Sequence, residues 1–153
     1  MKMLTEVLSI RLREVLREDM SGVYGSWESG SISRRPIEQR RFSVSFGCSP
    51  DNVDKLAQAV MTEARTIAKS GIDAKYIEKI KNARLRTREV DLEENSFWRR
   101  ELHEAYWYGD DPREILTGFR PMVDKISSER VRAAARKYLA EKQYVLGVLR
   151  PEK

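Results

Sequence analysis

The chain has 153 residues, of which 41% are hydrophobic and 35% charged, and its 29 Lys and Arg against 24 Asp and Glu leave a net charge of +5. That length suits one domain able to bury roughly two-thirds of its unfolded surface; no apolar run approaches the ~18 residues of a membrane span, and basicity spread along the chain is weak support for nucleic acid binding. The lone Cys48 excludes an internal disulfide and any multi-cysteine zinc site, and the lone His103 excludes a site that needs two histidines.

Leu4, Leu8, Leu12, Val15 and Leu16 recur at helical spacing and predict a helix from Leu4 to about Glu18. Met1-Lys2-Met3-Leu4 runs into it without a signal-peptide core. A chain that opens inside an amphipathic helix, with no cap, has the look of a cut piece, so the expectation is either a cytosolic protein or a true beginning elsewhere. Val23 to about Ile32 is a strand, followed by turn chemistry in Ser29-Gly30-Ser31 through Arg34-Arg35-Pro36. Arg41 to Cys48 alternates strictly, so Phe42, Val44, Phe46 and Cys48 face one way in a half-buried strand paired antiparallel with the first.

Ser49-Pro50-Asp51 opens a helix whose face is Val53, Leu56, Ala57, Val60, Met61, Ala64, Ile67 and Ala68, ended by Gly71. Asp73 caps the next helix, which carries Tyr76, Ile80, Ala83 and Val90 on one side and continues through Phe97, Trp98, Leu102 and Ala105, with breaks near Asp91 and Asn95. Pro112 opens a short helix to about Phe119, Ser127-Ser128-Glu129 opens a last helix bearing Val131, Ala134, Ala135, Tyr138 and Leu139, and Tyr144 to Leu149 is a final strand. The fold class is therefore α+β, an antiparallel or mixed sheet with helices packed on one face. Three strands are few for so many apolar helical faces, which suggests missing first strands before Met1.

Arg17 and Tyr24 stand near the first helix-to-strand corner. A guanidinium and a phenol both donate hydrogen bonds, so a fixed pair suits stabilisation of an oxyanion; the plain alternative is a solvated helix arginine and a sheet tyrosine. His103 fits a helix residue with one side-chain hydrogen bond rather than a metal ligand. Lys75, Lys79, Lys81, Arg84, Arg86 and Arg88 make a basic helix face that phosphates could use, but Glu89, Asp91, Glu93 and Glu94 follow it, and a solvated face is the simpler reading. Trp98, Tyr106, Trp107 and Tyr108 suit packing or an interface. Ser21, Cys48 and Ser49 lack a neighbouring histidine base, which disfavours serine or cysteine catalysis.

The segment "IRLREVLREDMSGVYG", the strand ending "FGCSPDNVDKL" and the later "AKSGIDAKYIEKIKNARLRTREVDLEENSFWRRELHEAYWYGDDP" and "ISSERVRAAARKYLAEKQYVLGVLRP" resemble the C-terminal domain of pitrilysin and insulinase-like zinc metallopeptidases. The resemblance covers nearly the whole chain but part of a domain, implying that residues 1–153 form a single partial domain at the C-terminal end of a larger multidomain peptidase. It places the helix-ending arginine at Arg17 and the tyrosine seven residues later at Tyr24, with Val23 departing from a frequent glycine. The family's zinc motif is an inverted His-x-x-Glu-His with a downstream glutamate. This chain lacks it, so the resemblance implies no metal or cofactor here, with zinc in the N-terminal part of the parent. The implied partners are the parent's N-terminal domains and peptide substrates, which the domains enclose while Arg17 and Tyr24 bind substrate and stabilise the oxyanion. The compartment is periplasmic or cytoplasmic, periplasmic if the parent resembles exported bacterial members. Two other roles stay open: a non-catalytic peptide-binding or structural subunit of the same family, and a nucleic-acid-binding module.

Overall fold

Phe42, Val44 and Phe46 are half-buried and Ser43 and Ser45 exposed, as the alternation of β2 (Gln39–Cys48) requires. The computed structural model describes residues 2–19, 23–139 and 144–150, without the side chains of Lys2, Arg17, Glu18 and Asp19. They fall into two compact units, Met1–Ile72 with Ser128–Lys153, and Asp73–Ser127. The α+β class stands, and the sheet among the described residues is the antiparallel pair of β2 with β1 (Val23–Ser33).

The first unit is built on α1 (Lys2–Arg13), which widens into a π-helical segment over Glu14–Asp19. Leu4, Val7, Leu8, Leu12 and Leu16 are fully buried. They pack α1 against β1, α2 (Val53–Ser70) and α7 (Ser128–Tyr138). The sheet face bearing Phe42, Val44 and Phe46 carries Gly30, Glu28 and Ser26 opposite them. Against that face Ser9 donates to Glu28 Oε2 at 2.8 Å. At Gly30 a Cβ would collide with the Thr5 hydroxyl, so the helix approaches there because the side chain is absent. This corrects the expected turn: Ser29, Gly30 and Ser31 continue β1, Ser29 Oγ lies 2.9 Å from Ser43 Oγ, and the chain reverses between Ser33 and Gln39.

The expected face of α2 is largely confirmed, with Leu56 and Ile67 buried, but a charge shares it. Glu63 is only 8% exposed. Its carboxylate accepts from Arg11 Nε at 2.8 Å, while Arg11 Nη1 donates to Glu14 at 2.8 Å. The two pairs tie α1 and its π-helical extension to α2. Gly71 ends α2 with φ 77° and ψ −147°, and beside it Ser128 Oγ accepts from the Ile72 N–H at 2.9 Å and donates to the Ile72 carbonyl at 2.6 Å. That hydroxyl joins the end of α2 to the start of α7, where Val131 and Ala135 are buried.

Tyr144 to Leu149 is not a strand. A strand is a pairing as well as a pattern, and no described backbone pairs with this one. Val145 is 97% and Leu149 100% exposed.

The second unit comprises α3 (Ala74–Asp91), α4 (Asn95–Tyr108), α5 (Glu114–Thr117) and α6 (Phe119–Asp124). The single short helix expected after Pro112 is therefore two. Asp73 Oδ1 caps α3 by accepting from the Lys75 N–H. Hydrogen bonds from the Arg113 side chain and backbone N–H hold the Asp111 carboxyl below its ordinary range ahead of α5. The buried stripe of α3 also differs from expectation: Ile77 and Ile80 are buried, whereas Ala83 and Val90 are exposed. Arg88 explains the rotation, because its guanidinium lies 4.5 Å from the Phe97 ring centre and 4.7 Å from that of Phe119, and donates to the Ile115 carbonyl.

Arg11→Met should leave Glu63 under α1 without its cation and destabilise the fold by about 1–3 kcal/mol, with most of the loss recovered by adding Glu63→Leu. Urea unfolding of the two variants checks this. Gly71→Ala should cost about 1–3 kcal/mol, since alanine avoids that backbone region and its Cβ would meet Ser128 Oγ at 2.5 Å. A melting temperature equal to that of the unaltered protein would show that the backbone relaxes freely there.

Candidate functional site

The register of the sheet slips at the start of β1. Val23 opposes Cys48 and Gly25 opposes Gly47, so Tyr24 is an extra residue with no opposite partner. Such a bulge re-aims a side chain. By strict alternation Tyr24 would share the helix-covered face with Ser26 and Glu28, yet it is 88% exposed. Its ring instead stands near Gly47, where an added Cβ would lie 3.9 Å from it.

Two glycines facing each other leave a floor without side chains. Over Gly25 lies the Trp27 indole, 3.4 Å from where a Cβ would stand, and the indole is itself 68% exposed. Arg13, exposed at the end of α1, completes the rim of an open depression of about 250 Å³ lined also by Val23, Tyr24, Gly25, Ser26 and Trp27. An arginine, a tyrosine and a tryptophan, each a residue type that can donate hydrogen bonds, therefore line one depression. Such a set suits an anionic or carbonyl oxygen.

Of the two expected site residues, Tyr24 is placed at this mouth. Arg17 lies in the π-helical segment, but its side chain, like the whole of Ser21 and Gly22, is outside the described residues. Arg13 and Trp27 were not singled out from the sequence. Arg13 stands four residues before Arg17 on an amphipathic helix, a spacing that puts side chains on neighbouring surface, and Trp27 is an aromatic beside a glycine in a strand. Both signals were present.

The other candidates disperse. His103 is exposed and stacks on Trp107 at 6.2 Å with rings 10° apart, a ring contact where a hydrogen bond was expected. A single histidine cannot complete His-x-x-Glu-His, and among the described residues no three His, Cys, Asp or Glu side chains are grouped to hold a metal. The residues present do not fit a zinc ion. The basic face of α3 is broken up: Arg88 is sandwiched by phenylalanines, Lys81 lies 3.7 Å from Glu78, and Lys75 stands over Tyr76. No helix among the described residues is long and apolar enough to cross a membrane.

An α+β domain with a helix-to-strand corner that presents an exposed tyrosine, and with no cluster of metal-ligating side chains among the described residues, is the class this geometry defines. The sequence model described as "Peptidase M16 inactive domain" matches residues 1–84, from α1 into α3 and thus including the whole corner. The chain belongs to the peptidase M16 family, through that inactive domain. It is 27% identical over 159 aligned positions to the "Probable zinc protease PqqL" of Haemophilus influenzae, covering 96% of this chain and 16% of that protein. The crystal structure of the periplasmic protease PqqL from Escherichia coli superposes with a TM-score of 0.72 at 20% identity, over 91% of this chain and 15% of that one. A mutant of the ferredoxin protease FusC, in complex with Arabidopsis ferredoxin, gives 0.73 at 20% identity, over 89% and 15%. The chain thus spans about one-sixth of the length of these relatives.

Because the Tyr24 ring is so exposed, Tyr24→Phe should leave unfolding free energy within about 0.5 kcal/mol of the unaltered protein. A larger loss in denaturant melts would mean that the phenol holds the corner together.

Proposed function

We propose that this chain is a non-zinc-binding domain of a zinc metalloendopeptidase and forms part of the wall around a bound peptide. The carrying observation is the bulge that turns Tyr24 out of the helix-covered face and presents its phenol at an open mouth beside Arg13 and Trp27. Membership of the M16 inactive-domain family and relatives named as zinc proteases support the reading. Zinc belongs to another part of the parent, because nothing in these residues suits it.

In this reading Tyr24 and Arg17 act on the scissile carbonyl. When that carbonyl is attacked, negative charge grows on its oxygen, and a phenol O–H and a guanidinium N–H aimed at it stabilise the transition state more than the ground state. Neither group need exchange a proton with solvent. The partners are the parent's N-terminal domains and the peptide itself. The compartment proposed is the periplasm, the location named for the Escherichia coli protease of similar fold.

Tyr24→Phe in the full-length parent should lower kcat about 100- to 1000-fold, or about 2.7–4 kcal/mol of transition-state stabilisation, with little change in KM. Steady-state kinetics on a quenched fluorescent peptide measures it. Unchanged kcat in a folded variant would remove Tyr24 from the chemistry.

A further inference from the structure

The mouth around Tyr24 contains more than an oxyanion donor requires. Gly25 and Gly47 face each other across the strand pair, so a ligand could approach the sheet backbone there without meeting a side chain. Trp27 lies over Gly25 on one side and the Tyr24 ring stands near Gly47 on the other. Among the described residues, the charge at the rim comes from Arg13, and no acidic side chain lines the depression. On the outward face of the sheet, Trp27, Ser29 and Ser31 oppose Ser45, Ser43 and Arg41, again without a carboxylate. The whole chain carries a net charge of +5.

We propose that this depression is a specificity subsite for a peptide carboxylate, with Arg13 as the charge-reading residue and Trp27 and the Tyr24 ring holding the aliphatic stem above the glycine floor. Arginine suits this role because its planar fork donates two parallel hydrogen bonds to one carboxylate. A carboxylate of a peptide has two sources, an Asp or Glu side chain and the free C-terminus. Both present the same two oxygens. The subsite rests on the reading of the chain as a peptidase domain, but it concerns which peptides are chosen, not how the bond is broken.

The test uses the full-length parent and peptides identical except for Glu against Gln at successive positions, each with a free or an amidated C-terminus. The ratio of kcat/KM for an acid-bearing peptide over its neutral twin should fall about fivefold in Arg13→Gln, the scale of one exposed ion pair, and be retained in Arg13→Lys. Loss of the preference on changing Glu to Gln assigns the side chain, and loss on amidation assigns the terminus. Added salt should weaken the preference. The same ratio is then read as peptide affinity by fluorescence anisotropy, with turnover blocked by chelation, so a failure of the catalytic reading leaves the subsite testable. Tyr24→Phe without effect on turnover, together with an Arg13-dependent preference in binding, would overturn the catalytic role and keep the subsite. Equal losses for acidic and neutral peptides in folded Arg13→Gln, or no preference in the unaltered parent, would overturn the subsite.

Discussion

Leu4, Val7, Leu8, Leu12 and Leu16 are at 0% exposure, and that burial fixes where the neighbouring elements of the first unit stand. Each such side chain contributes on the order of 1.5–3 kcal/mol relative to leaving it in water. A helix buried along that stripe has little freedom to rotate or slide. The sheet meets it at Gly30, where the missing side chain admits Thr5, and α2 meets it through the Arg11–Glu63 pair. Arg13 lies at the end of this fixed helix, and β1 begins close by. The depression around Tyr24 therefore begins beside the buried stripe of α1, and a positioned hydrogen-bond donor needs such a packed support.

Although 35% of the residues are charged, not all of that charge faces water. Glu63 sits on an otherwise apolar face of α2 because Arg11 reaches it. Burying one without the other would leave a charge without compensation. Arg88 shows the same principle with a different partner, since its guanidinium can stack on aromatic faces as well as pair with acids. This makes Arg88 part of the packing of the second unit, while Lys75, Lys79 and Arg86 on the same helix stay exposed. Counting charges along a helix cannot distinguish an arginine that solvates from one that fills space.

The parts legible in the sequence were those whose signal is local. Phe42, Val44 and Phe46 alternate because one side of β2 is covered, and Gly71 ends α2 because its backbone angles exclude other residues. What depended on distant partners was not legible. Tyr144 to Leu149 has the composition of a strand, but composition cannot supply the second strand that makes the ladder. Gly30 looked like a turn residue because the reason for it, Thr5, lies 25 positions away in sequence. At the corner, Tyr24 stood out through its place after the first helix and through the resemblance to a family pattern. Its bulge, and the neighbours Arg13 and Trp27, emerge only when helix and strand are set side by side.

In the proposed role, the bulge lets the domain contribute donors at little cost to its own fold. A zinc site demands several ligands converging within a few ångströms, and it restricts the residue types of whole helices. A wall that donates hydrogen bonds demands less. It needs rigid backbone and donors turned away from the core. The extra residue in β1 meets both needs, because the ladder resumes at Gly25 and Gly47 immediately beyond it, while the Tyr24 ring gains no burial that its removal would forfeit. Specificity can be added to such a wall by changing only exposed residues, and Arg13 and Trp27 are both exposed. In the proposed role, a domain of this design can therefore vary in the peptides it favours while the buried stripe of α1 stays the same.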